Sequence, residues 1–342
     1  MKNNTILMLA AGLMAAFGLR AQTATVKAHP AAGLPEKAAY LGEARPGITP
    51  RMFAPGRISD GMSNRDMAIS PSGKEVFYTI QGPGGQLSMI LCSRWAGGAW
   101  SKPEIVSFSG KYSDLEPALT ADGDTMFFAS NRPVEGEVIK KDYDIWMAKR
   151  QQGNWGRPIR LDTVINTPKD EFYPSVARNG NLYFTRVMEH GKGKEDIAVS
   201  EWKVGRYQQP YSLPGGVNTE HFEFNAFVDP DEQFLLFSSF GRKDDIGGGD
   251  LYLSYKNAQG EWAEAVHFDS TINSTTLDFS PYISPDKKYL FFTSSRMKAE
   301  PPFPTPLNFA RLRGLLEGPG NGLNDIYWVE WPALLKKSMH DR

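Results

Sequence analysis

Asp278-Phe279-Ser280-Pro281, followed by Asp286-Lys287, Phe291-Phe292, Arg296 and Asp325-Ile326-Tyr327, decides the fold because the chain writes it more than once. Its second clear form is Asp114-Leu115-Glu116-Pro117, Asp122-Gly123, Phe127-Phe128, Arg132 and Asp144-Ile145-Trp146. The same order of elements recurs five times between Asn64 and Glu330. A fixed period of about 20–50 residues marks a repeat architecture, each unit being too small to bury its own apolar face. The units align on the pairs Phe77-Tyr78, Phe127-Phe128, Tyr183-Phe184, Leu236-Phe237 and Phe291-Phe292. A turn precedes each pair (Ser72-Gly73, Asp122-Gly123, Asn179-Gly180, Asp231-Glu232, Asp286-Lys287), and three of these are the polar-plus-Gly pairs that two-residue hairpins favour. A loop and a third apolar run follow, and in four units a Gly-x-aromatic step opens a fourth run, as in Gly153-Asn154-Trp155.

Each unit therefore reads as a four-stranded meander, and the chain as an all-β propeller. The fifth unit lacks a fourth strand, whereas Arg51-Met52-Phe53-Ala54-Pro55 stands spare before the first. Pairing the two closes the ring and removes exposed edges. This gives five blades. Six would require a blade inside residues 22–60, which are short and Pro-rich. The expected division is a signal peptide at 1–21, a tether at 22–45, the propeller at 46–332 and a tail at 333–342.

With these motifs laid out, the chain resembles the WD40-like PD40 propellers, the type found in the C-terminal domain of TolB. The resemblance rests on Ser284-Pro285-Asp286-Lys287, Phe291-Phe292, Ser295-Arg296 and Asp325-Ile326-Tyr327, repeated less completely in the other four units. It implies the propeller fold. It does not imply an activity, because propellers host binders, scaffolds and enzymes alike. TolB-type domains usually have six blades, and the N-terminal domain of TolB has no counterpart here.

Composition narrows the function classes. The 38 basic and 39 acidic residues balance, so no field draws the chain to nucleic acid. Lys2, the apolar run Ile6 to Leu19 and the small residues Gly18 and Ala21 read as a secretory signal. That run is too short for a comfortable membrane span, and no later segment is apolar enough. A soluble monomer in the periplasm or outside the cell is expected. The single cysteine, Cys92, excludes a disulfide within the chain and reads as a small buried hydrophobe.

Charge recurs in register. Asn64, Asp114, Glu171, Glu223 and Asp278 open the innermost strand, and Arg132, Arg186, Arg242 and Arg296 follow the second. Met89, Asp144, Asp196, Asp250 and Asp325 open the third. Antiparallel pairing brings all three positions to one end of each blade. One reading is a structural clasp in which each guanidinium forks between two carboxylates. The other makes the inner-strand acids and the arginines a ligand-binding rim. In that reading Asp114, Glu223 and Asp278, with His221, are the catalytic candidates of a glycoside hydrolase or polysaccharide lyase. No metal or cofactor is expected: the five histidines lack ligand spacing, and the ring of four carboxylates, able to hold a cation or an amine, is too wide for calcium unless water bridges it. There is no Gly-x-Ser-x-Gly elbow, and Gly247-Gly248-Gly249 reads as a turn rather than a phosphate loop. The long segment between Arg296 and Asp325 opens at the charged end and is a candidate roof for the channel mouth. The function expected is the binding of a protein, peptide or glycan on the charged face. The alternative is carbohydrate chemistry.

Overall fold

The computed structural model describes residues 39–134 and 142–331. The expected signal segment, the tether up to residue 38, the tail from 333 and part of the segment 133–141, expected as a smaller insert at the charged end of blade two, lie outside them. The described chain forms five antiparallel blades, each built on three long strands with a short or split fourth strand outside. The inner strands are Ser63–Ile69, Asp114–Leu119, Glu171–Val176, Phe222–Val228 and Asp278–Ile283. Blade five borrows its outer strand from the chain's start, where Arg51 pairs with Trp328 and Met52 with Tyr327. The Phe53 amide extends that ladder to the Ile326 carbonyl at 2.7 Å. The ring is closed, with five blades.

The paired aromatics follow from the two-residue period of a strand, which sends neighbouring side chains to opposite faces. In blade five Phe291 packs toward blade one and Phe292 toward blade four. In the same way Tyr78 and Phe77, Phe128 and Phe127, Phe184 and Tyr183, and Phe237 and Leu236 divide between the seams on either side of their blades. The described residues form five apolar clusters, one per seam. The closing seam also takes Phe53, Ile58, Tyr40 and Leu41, so the last residues assigned to the tether sit in the core of the ring.

The turns are longer than two residues. In blade one the ladder closes with Ser70 N–H to the Glu75 carbonyl, leaving four residues between. The left-handed position of that turn falls on Gly73 (φ 68°) in blade one, but on Glu232 and Lys287 in blades four and five. Those two blades accept the steric cost that glycine avoids, about 1–2 kcal/mol each.

Candidate functional site

Strand register places the recurring charges together. Asp114 pairs with Ser130 and Ser130 with Asp144; Glu223, Ser239 and Asp250, and Asp278, Ser294 and Asp325, repeat the arrangement. In these blades the guanidinium follows the serine by two or three residues and folds back. Arg132 binds Asp114 at 2.5 Å, Ser130 Oγ at 2.9 Å and the Phe108 carbonyl at 3.2 Å. Arg296 binds Asp278 at 2.6 Å, Ser294 Oγ at 2.7 Å and the Ile272 carbonyl at 2.6 Å. Arg242 repeats the set with Glu223, Ser239 and the Val217 carbonyl. Each clasp thus ties the loop arriving from the preceding blade to one inner-strand acid, and those acids are fully buried.

The clasp is not a fork between two acids, because the third-strand acids have other partners. Asp144 is bound twice by Arg160, at 2.7 and 2.8 Å. Asp196, Asp250 and Asp325 accept backbone amides of the loops before them, from Lys192 and Gly193, Ile246 and Gly247, and Gly320. An acid at the start of the third strand therefore anchors a loop.

Blade three departs from this scheme. Arg186 occupies the position that serine holds in blades two, four and five, paired directly with Glu171 on one side and Asp196 on the other. Its described bond is Nη1 to the Ile165 carbonyl at 3.3 Å, and its Nε, buried, has no partner. Burial lowers its pKa below the ordinary arginine value, against the pull of Glu171. Glu171 is held by the Thr167 hydroxyl at 2.6 Å and amide at 3.0 Å, and desolvation pushes its carboxyl up to about 7.

The channel itself is filled by residues two positions beyond the recurring acids. Asp66, Glu116, Tyr173, Asn225 and Ser280, one from each blade, are left-handed, with φ between 47° and 61°. In each inner strand the register shifts at this point, marking a β-bulge that turns the side chain toward the axis. Ser280 Oγ donates to Asp66 at 2.7 Å, and Asn225 Nδ2 to Ser280 Oγ at 3.2 Å and Glu116 at 3.4 Å. The Tyr173 amide donates to Glu116 at 2.7 Å, and its hydroxyl reaches the Pro281 carbonyl at 2.9 Å. Arg65 bridges Asp66 and Glu116, both at 2.9 Å. Burial alone would lower the pKa of Arg65, but the two carboxylates outweigh it. Desolvation dominates at Glu116 and carries its carboxyl up to about 7 despite Arg65. This network spans the axis and cross-links all five blades.

Two adjoining cavities open beside it. One, of about 330 Å³, is lined by Arg65, Glu116, Phe172, Phe224 and Tyr143, among others. The second, of about 440 Å³, lies against Arg186, Lys169, Asp142 and Asp170. Phe172, Thr185 and Glu195 belong to both. Leu115, Phe172, Phe224 and Phe279 each follow a recurring acid by one residue and Arg65 follows Asn64 at the same position, so this position is apolar in four blades and cationic in one. Burial, then the charge of Asp170, raises the carboxyl of Glu195 above the ordinary range.

No protein-family model and no curated protein matches the chain. Solved propeller structures do. TolB from Acinetobacter baumannii superposes with a TM-score of 0.45 at 12% identity over 79% of this chain, which spans 57% of the TolB chain. The fold is a five-bladed β-propeller. The complex of BT0996 with RGII gives a TM-score of 0.50 at 10% identity, covering 84% of this chain and 93% of that one. A glycoside hydrolase gives 0.49 at 11%, covering 83% and 91%. At such identities the likeness is one of fold.

In this propeller the other expected residues fall outside the cavities. The nearest acid to His221 is Glu220, at 3.9 Å, and its ring lies over Gly241. The long loop of blade five carries the helix Phe309–Leu316 and packs on Gly61, whose backbone Gly318 approaches closely. It supplies none of the residues lining the two cavities. The bulge residues were not read from the sequence. The signal available was positional alone, since Asp, Glu, Tyr, Asn and Ser share no chemistry.

Proposed function

We propose that the protein is an exported binding module that takes a peptide, protein or glycan segment at the mouth of its channel. One observation carries this reading: two connected cavities sit at the mouth, walled by Phe172, Phe224 and Tyr143 and by charged groups outside the closed clasps. Aromatic faces supply contact area at little entropic cost, and a few polar groups set orientation. Export rests on the apolar, small-residue character of the first 21 positions. Among the described residues no helix is long and apolar enough to cross a membrane. The recurring acids Asp114, Glu171, Glu223 and Asp278, with Arg132, Arg242 and Arg296, support such a site from beneath by fixing the blades.

A second reading, a carbohydrate-active enzyme, is favoured by Glu116. A carboxyl held near 7 beside a cation, in a cavity with a second raised acid, Glu195, suits general acid–base work. Screening the purified protein against polysaccharide and peptide panels separates the two. Binding without product release, lost in Phe172→Ala and kept in Asp114→Asn, is expected. Product release abolished by Glu116→Gln would establish the enzyme instead.

A further inference from the structure

Every guanidinium of the closed clasps engages an acid, a hydroxyl and a carbonyl, whereas that of Arg186 has one described bond and a buried, unpartnered Nε. Arg186 is 8% exposed. A fork of five donors so sparsely used and so far from water is costly unless something else engages it. What adjoins it is the larger cavity, with Lys169 exposed at its edge. We infer that blade three holds a carboxylate-binding pocket, in which Arg186 grips the acidic group of the ligand and Lys169 assists from the rim. This deepens the binding reading and rests on it.

The planar guanidinium matches a carboxylate in two parallel bonds, and the ring of Phe172 offers an apolar wall beside it. Three acids, Asp142, Asp170 and Glu195, line the cavity beside the two cations Lys169 and Arg186, so a singly charged anion held directly by the guanidinium is the form least opposed. The carboxylate of Asp170 is engaged by the Tyr143 amide at 2.8 Å. The carboxyl of Glu195 is displaced upward by burial and by the charge of Asp170. Glu171, which would otherwise compete for Arg186, is satisfied by Thr167. A phosphate monoester would bring nearly two charges against the same acids, so a carboxylate is the better fit.

The full chain is titrated calorimetrically with glucuronate and with an N-acetylated tri-alanine peptide, each against its neutral counterpart, glucose or the N-acetylated peptide amide. One carboxylate probe is expected to bind, with its neutral counterpart weaker by about ten-fold or more. Glucuronate would point to acidic glycans and the peptide to chain ends. Arg186→Gln should remove this preference, Arg186→Lys should retain part of it, and Lys169→Gln should weaken binding without moving the thermal midpoint. The inference is overturned if neither carboxylate probe binds, if neutral counterparts bind equally well, or if Arg186→Gln leaves the preference intact. Neutral ligands that bind and are lost in Phe172→Ala would overturn it while leaving the binding reading standing.

Discussion

Blades two and three have nearly the same inner-strand end and opposite electrostatic outcomes. In blade two Ser130-Asn131-Arg132 leaves one residue between hydroxyl and guanidinium, so the arginine folds back over the serine onto Asp114. In blade three Thr185-Arg186 places the arginine in the strand itself, opposite Glu171, and no contact within ion-pair distance of that acid is described. A displacement of two residues separates a closed clasp from two poorly paired charges. The difference shows that the clasp depends on a hydroxyl relay and a backbone carbonyl as much as on opposite charge, and that a blade lacking the relay turns its cation toward a cavity.

The sharpest way to break this comparison is to delete the two arginines. Arg132→Ala strands Asp114, a fully buried acid, and should cost about 3–5 kcal/mol in chemical denaturation. Arg186→Ala removes a guanidinium already lowered in pKa by burial, so its loss should be within about 1 kcal/mol. Equal losses would mean that the clasp is not the unit of stability described here.

Why one blade was legible and the other was not follows from what each position must satisfy. Repetition multiplied the signal for the central pairs, which recur in five blades, and for the register of acids, which recurs in four, and the missing fourth strand of the last repeat exposed the role of Arg51-Met52. The axis residues obey only a backbone constraint. A bulge in the left-handed region admits Asp66 and Asn225 readily, but nothing in Glu116 or Tyr173 announces it. The open clasp was visible as a slip in spacing at Arg186, yet spacing cannot say whether a shifted arginine still reaches its acid. Nor could it show that the third-strand acids were already committed to Arg160 and to loop amides.

A second, smaller effect separates the two acids. Glu171 titrates near 7 in the folded chain against an ordinary 4.5, so the native state holds its proton more tightly than the unfolded state. The resulting stabilisation is complete below about pH 4.5 and is lost as pH rises through 7. Glu171→Gln should therefore raise stability at pH 8, by up to about 3 kcal/mol, and have little effect at pH 4. Glu223→Gln, which weakens a closed clasp, should lower stability at pH 8. Thermal midpoints of both variants across that range check the opposite signs, and a parallel response would remove the distinction between the blades.

The mildest test rebuilds blade three in the image of blade two. Arg186→Ser with Met188→Arg recreates the Ser-x-Arg spacing opposite Glu171, so that the new guanidinium can lie over the serine toward the acid. The gain is limited. A charge-assisted bond is worth about 1.5–3 kcal/mol, and Thr167 already serves part of that carboxylate. A net stabilisation of about 1 kcal/mol at pH 8 is expected, with the Glu171 carboxyl returning toward its ordinary range in titration by NMR. Because the grafted arginine would be spent on Glu171, the same variant should lose the preference for carboxylate ligands while its fold becomes firmer. A stability gain with ligand preference unchanged would show that the cavity never depended on the open clasp.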